Sequence, residues 1–496
     1  MKRNDRFLDF MQSLDNMGRT KVKSFLEDYG NHIDMPKKEE KMLVEDAKKA
    51  LLHLAGTGVS LDQCLERLSS KNLGGFYAHE ALSWYPLDDA AKVYPLSMKF
   101  GQMPMFRLSC YLREPVVPEI LQIALDFTIK RFPSFATVVK KGFFWHYLDT
   151  KKRRYPVTRE SAVPCQALKI SAVGTQSFRI VYYENRISAE FFHVLTDGHG
   201  GMVFLKTLVA EYLQLLGEPK VCTEEVKDIA EPARTTELSN DFVRFCPNAR
   251  KSGGFAGKAA LQMSGRKAKH SPCRIVHLVY DTQKLVALAH EKEISITTLM
   301  LTLMFLSHRS ATDVTDGTIQ IQVPVDMRKF FASDTVRNFS MYCSIDISAS
   351  KVEDFSSVSE EIASQLKRKA TFEEMSVMMS TAHKLVQSLK FIPLTVKTPV
   401  AKVIYGFLGD SRFSNTLSNI GSIRMPQEYT RHILGFDFVL GTCVVSRASC
   451  SMCSFNGNTV FSISKNTKDP SFEERLVELS RNMGLDPSIW ESPAYE

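Results

Sequence analysis

Apolar and polar positions recur along this chain with two periods, and the places where the period changes mark its elements. Residues 41–54 repeat apolar positions at helical spacing, and Ser60 stands where it can cap a second helix reaching Leu68. Residues 1–78 therefore read as an N-terminal helical appendage with charged faces turned to solvent. From His79 the pattern becomes aromatic and strand-like, at 84–95 and again at 105–112. Pro118 fits the first turn of a helix to about Arg131, because Ile120, Leu121, Ala124, Leu125 and Ile129 fall on one stripe, and Pro133 stops it. Strands are predicted at 143–147 and after Gln176, followed by a helix from near Gly200. The polar stretch 222–274, with Ser252, Gly253, Gly254 and Gly257 and a basic run at 265–272, predicts a crossover and mobile loop.

A second core then begins. It has a strand at 275–280, a helix at 282–291 and an apolar helix at 296–306 that Ser295 can cap. Strands follow at 318–324 and 340–347, helices over much of 352–389 and 400–408, and short strands at 414–420, 436–440, 451–455 and 459–464. A helix at 471–483 closes the chain. The order predicts an α+β fold of two mixed halves: a first lobe at 79–225, a crossover at 226–274 and a second lobe at 275–496.

Composition narrows the function classes. At 496 residues, 44% hydrophobic and 24% charged, the chain has ample apolar material for two or three cores. A formal charge of +8 favours anionic ligands only weakly, and no aromatic-interleaved basic motif points to nucleic acid. The 265–272 run reads as a solvated loop, with phosphate contact as its alternative. The ten cysteines follow no secreted framework, and Met-Lys-Arg-Asn-Asp-Arg is not followed by a signal-peptide core, so a cytoplasmic location is expected. The longest apolar run, 296–306, is interrupted by threonines and falls well short of the roughly 20 residues a bilayer span needs. No transmembrane segment is predicted.

The stretch with most chemical promise is 192–198, Phe-His-Val-Leu-Thr-Asp-Gly. A strand leads into it and an amphipathic helix leaves it, so His193 is expected at a strand-to-helix junction, four residues before Asp197, with Gly198 permitting a tight turn. Spacing alone favours an ordinary structural histidine. Cys450 and Cys453 have the spacing of half a zinc or redox site but lack a second pair, so they read as buried cysteines. His199 reads as a polar residue in a helix's first turn, with substrate contact as the alternative. His277 reads as a satisfied core or interface histidine.

Together the residues resemble the superfamily of coenzyme-A-dependent acyltransferases, which includes chloramphenicol acetyltransferase, plant alcohol acyltransferases and the condensation domains of peptide synthetases. Its signature is His-His-x-x-x-Asp-Gly, and 192–198 matches all of it except the first histidine, replaced by Phe192. The resemblance is strongest to bacterial alcohol-acetyltransferase-like proteins. It runs in order through 84–95, the Met-Phe-Arg-Leu at 105–108, 117–121 to 131–133, 143–145, the 204–209 helix, Val-Pro-Val-Asp-Met-Arg at 323–328, Ser-Asn-Ile-Gly at 418–421 and Ser-Phe-Asn-Gly at 454–457. It covers about residues 79 to 490. The plant Asp-Phe-Gly-Trp-Gly motif is absent, Gly-Phe-Asp-Phe at 435–438 being the nearest string, and no role passes to Asp437.

The resemblance implies two similar mixed-sheet lobes with an active-site tunnel between them. It implies His193 as general base, with Asp197 organising the loop through a bidentate ion pair to Arg328 and Gly198 beside the substrate channel. Ser418 or Asn419 is the candidate oxyanion donor, the alternative being that the pair only shapes a turn. The implied activity is transfer of an acyl group, most simply acetyl, from acyl-CoA to the hydroxyl of a small or medium acceptor. No permanently bound cofactor and no metal is expected. The alternatives are an acyl carrier protein as donor, an amine as acceptor, or a binding protein that keeps the fold without activity.

Overall fold

The computed structural model describes residues 3–31, 33–74, 84–92, 94–97, 103–151, 153–171, 174–246, 259–399, 410–442 and 445–495. The helix expected at 400–408, the glycines at 253, 254 and 257, and the boundary at His79 lie outside them.

Two mixed sheets carry the molecule, as the α+β reading expects. The first runs Ile433–Leu440, Met105–Leu112, Arg186–Phe192, Phe178–Tyr183, Val157–Arg159, with only the last pair parallel. The second has seven strands, in the order Ser340–Ser348, Thr318–Asp326, Asn415–Ser422, Ala448–Phe455, Asn458–Lys465, Arg274–Asp281, Ser488–Glu491. Its Thr318–Asp326 strand alternates strictly, burying Ile319, Ile321, Val323 and Val325, and the parallel pairs on either side of Asn415–Ser422 make it mixed. A small third sheet joins Trp84–Pro86 to the hairpin of Thr137–Lys141 and His146–Thr150.

The halves are not sequentially separate. Strand Ile433–Leu440 leaves the second half and pairs antiparallel with Met105–Leu112, Phe438 opposite Leu108, so the first sheet is completed from the far end of the chain. A buried ion pair and a buried hydrogen-bonded cluster add to this latch. Arg131 grips Glu237 through both guanidinium nitrogens at 2.7 and 2.9 Å. His277, whose Nδ1 lies 2.9 Å from Ser462 Oγ, also faces Asp437, which accepts from the Tyr111 hydroxyl at 2.5 Å.

The N-terminal residues form four helices, Arg3–Ser13, Asn16–Asn31, Lys37–Gly56 and Leu61–Arg67, the last capped by the Ser60 side chain. They do not stand apart: Val22, Tyr29, Ala47 and Leu51 belong to the same apolar core as Leu121 and Phe127. Arg154 ties the bundle down through Asp46 and Gln122, and its backbone N–H donates to Glu39.

Two local expectations change. Residues 143–145, read as strand, form the hairpin turn instead, and the strand starts at His146. Gly142 makes the turn possible, since a Cβ there would lie 2.6 Å from the Trp145 carbonyl. The described part of the basic loop is pinned, with Ala268 N–H donating to Asn466 O and Cys273 N–H to Lys465 O.

Candidate active site

His193 follows directly on the strand Arg186–Phe192, and its N–H donates to Pro104 O at 2.9 Å. The chain then turns, Leu195 N–H to Phe192 O, and helix Gly198–Leu216 begins. That helix is apolar on nearly every face because it lies beneath the first sheet, where Phe204 stacks on Phe135 at 4.8 Å. The junction is therefore held by core packing on both sides. The His193 ring lies against Tyr94, stacked at 4.8 Å, and edge-on to Phe106 at 5.2 Å.

The ring's Nδ1 is 3.0 Å from Asn338 Oδ1. A carboxamide oxygen only accepts, so Nδ1 carries the proton and the lone pair stays on Nε2. Asn338 is buried near the Asp88 carboxylate, which pairs with Arg337 at 3.1 Å, and its Nδ2 has no hydrogen-bond partner among the described residues. Burial pushes Asp88 up to about 6, although Arg337 and Asn338 hold it down. Burial also lowers the His193 pKa, outweighing its own backbone hydrogen bond, the Asp197 charge and the Asn338 contact. The imidazole is neutral at pH 7.

Asp197 does not touch the His193 ring in this arrangement; it organises what surrounds it. One oxygen caps the helix through Gly200 N–H at 3.1 Å, and the other accepts from Phe339 N–H at 2.8 Å and from Arg328 Nη1 at 2.9 Å. Burial alone would raise this carboxylate. Arg328, His199 and the Phe339 and Gly200 amides overcome it and hold Asp197 below the usual range. The pair with Arg328 is single-ended where a bidentate one was expected. Arg328 Nη1 is shared with Asp326 at 2.8 Å, and Nη2 donates to Thr335 O and Arg337 O, each at 2.8 Å. Arg328 thus clamps the 335–339 loop to Asp197, and that loop delivers Asn338 to the histidine.

Gly198 is needed for space, not for an unusual backbone angle. A Cβ there would come within 3.0 Å of Ile420 Cγ2 on the facing strand. The stricter position is Gly200, where a Cβ would lie 2.0 Å from Val336 O, the carbonyl that also accepts from the Thr196 hydroxyl at 2.6 Å.

His193, Asp197, Gly198, Ser418 and Asn419 line one cavity of about 1230 Å³. It runs between the first sheet, the helix Gly198–Leu216 and the strand Asn415–Ser422 of the second sheet. His199, Lys206 and Glu225 lie on its polar side, the last two as an ion pair, and burial together with Arg328 lowers the His199 pKa. Arg328 supports the site from behind and does not line it. Phe192, at the position of the missing first histidine, is buried in the first core, opposite Met105.

No family model matches the chain. No curated protein sequence matches it. Solved structures do. A trichothecene 15-O-acetyltransferase from Fusarium sporotrichioides is similar over 81% of this chain and 97% of its own, at 11% identity and a TM-score of 0.55. TRI101 of F. sporotrichioides, complexed with coenzyme A and T-2, matches over 82% and 99%, at 12% identity and 0.57. The first condensation domain of the calcium-dependent antibiotic synthetase, in complex with a substrate analogue, matches over 81% and 95%, at 10% identity and 0.55. The chain has the fold of the coenzyme-A-dependent acyltransferases and condensation domains.

Within this acyltransferase-like fold the candidate donors divide. Asn419 has both ends engaged, Nδ2 with Thr297 Oγ1 at 3.2 Å and Oδ1 with Gly421 N–H at 2.8 Å, which is the turn-shaping alternative. Ser418 lines the cavity one residue earlier. Cys450 and Cys453 are buried free thiols pushed up by burial, and Cys453 Sγ meets Phe436 O. Sequence reasoning missed Asn338 and Asp88. No spacing rule links Asn338 to a histidine 145 positions away, and the only signal for Asp88 was its place in the 84–95 segment.

Proposed function

We propose that this protein is an acyltransferase that moves an acyl group from acyl-CoA to the hydroxyl of a small or medium acceptor, with His193 as general base. The observation that carries the reading is the 3.0 Å contact of His193 Nδ1 with Asn338 Oδ1 in a ring that lines a large cavity: with Nδ1 as the donor there, Nε2 is left as the base. A hydroxyl is a poor nucleophile until its proton is removed as the new bond forms. Nε2 takes that proton as the oxygen attacks the thioester carbonyl, then returns it to the departing thiolate. The acyl group passes directly between substrates held in one cavity.

The developing oxyanion needs a donor, and the Ser418 hydroxyl is the available candidate, Asn419 serving to hold that strand. Asp197 and Arg328 keep the loop carrying Asn338 in place and take no proton. Lys329 and Arg412 line the cavity as cations suited to a phosphorylated donor.

The fold is shared by condensation domains, which favours keeping a carrier-protein thioester as the second donor reading. Purified protein, acetyl-CoA and a panel of alcohols and amines test both. Acceptor-dependent release of free coenzyme A thiol is the expected result. Transfer only from an acyl carrier protein would replace the donor, and no transfer from either would favour a binding protein.

A further inference from the structure

The cavity wall continues into an exposed aromatic surface. Phe143 and Phe144, at the hairpin tip between Thr137–Lys141 and His146–Thr150, meet Phe391 in the turn after helix Phe372–Ser388. Ring centroids lie 4.8 Å apart within the tip and 6.4 Å from Phe144 to Phe391, yet Phe143 is 72% and Phe391 76% exposed. These rings are held out by construction. Phe143 O accepts from Leu394 N–H at 2.8 Å, Phe144 O accepts from Lys397 Nζ at 2.7 Å, and that ammonium sits 3.3 Å from the Trp145 ring centroid. An ordered apolar cluster facing water marks an interaction site.

Charge says what kind. No acidic residue occurs between Glu374 and Asp410, a stretch that holds Lys384, Lys390 and the buried Lys397; on the hairpin Asp149 pairs with Lys140 at 2.7 Å, and Lys141 stands at the start of the turn. Lys141, Lys384 and Lys390 are exposed. Aromatic rings at the centre with ammonium groups at the flank suit a bilayer: the rings enter the headgroup boundary while the lysines meet anionic headgroups. The patch also sits at a mouth of the cavity. Leu385 and Val396 line the cavity and are 48% and 55% exposed, and Leu389 and Ile392 line it on either side of Phe391. An amphiphile leaving a membrane here reaches the cavity without its chain crossing water.

We propose that this face docks on an anionic lipid bilayer, with the cavity mouth set against the membrane to receive an amphiphilic substrate. Co-sedimentation of the full chain tests it, with vesicles of phosphatidylcholine alone and of phosphatidylcholine with phosphatidylglycerol. The wild type is expected to pellet with the anionic vesicles, and partition to fall about tenfold or more in Phe143→Ser/Phe391→Ser. A second pair, Lys141→Glu/Lys390→Glu, should abolish the preference for anionic lipid. All four side chains are exposed, and matching thermal unfolding of the variants checks that the fold is intact. Wild type remaining in the supernatant with both vesicles overturns the proposal, as does a serine variant that pellets like wild type. Self-association through the same phenylalanines without vesicle binding, or capture of an acyl carrier protein alone, also overturns it. The readout is partition, so it stands or falls separately from acyl transfer.

Discussion

A neutral imidazole accepts a proton at a defined nitrogen when the other is held as the donor. Asn338 sets that condition for His193, and burial extends the pH range over which it holds. Two outcomes follow at this scale. The acid limb of kcat/KM should lie below the ordinary imidazole value of about 6.5, because the folded-state pKa is lowered, and the neutral form then prevails through the whole neutral range. A limb at or above that value contradicts the assignment. Asn338→Ala should lower kcat by about tenfold with little change in KM, the loss of one orienting hydrogen bond, and should leave thiol release still dependent on acceptor. Of these residues, His193 and Asp197 were legible from a six-letter motif and its neighbours. Asn338 was not, because side chains far apart in sequence meet only after two sheets have packed.

At the scale of elements, the site depends on how one helix terminus meets one loop. Asp197 caps the helix and receives the loop through Phe339 N–H and Arg328. Its pKa is depressed, so its stabilisation is complete above the unfolded carboxylate value of about 3.9 and is lost as pH falls through the lower folded value. In denaturant unfolding, Asp197→Asn should cost about 3 kcal/mol near neutrality, and the gap from wild type should narrow below about pH 4. Gly200 tests the same contact sterically. Gly200→Ala should destabilise by about 1–3 kcal/mol and displace the 335–339 loop, since its Cβ meets Val336 O at 2.0 Å, whereas the Cβ of Gly198→Ala meets the Ile420 Cγ2 methyl at 3.0 Å and should cost less. Hydrophobic periodicity placed most helices and strands. It could not separate strand from turn at 143–145, because aromatic residues favour strands wherever they are half-buried, whereas Phe143 and Phe144 are exposed.

For the whole molecule, the alternation of apolar positions indicated two mixed halves, and the collinear segments from 84 to 457 indicated which fold they form. Neither indicated that Ile433–Leu440 would complete the first sheet, because strand order is fixed by long-range pairing that local periodicity does not encode. The same crossing brings Phe438 to the Phe106 ring beside His193, so the cavity is a product of both halves. A base within such a cavity makes one claim testable above the others. Acceptor-dependent release of coenzyme A should be measured for wild type and His193→Ala, with coenzyme A binding measured in parallel. With His193 as the base, turnover should fall by about 10²-fold or more while binding is retained. Equal turnover in the two proteins would contradict it.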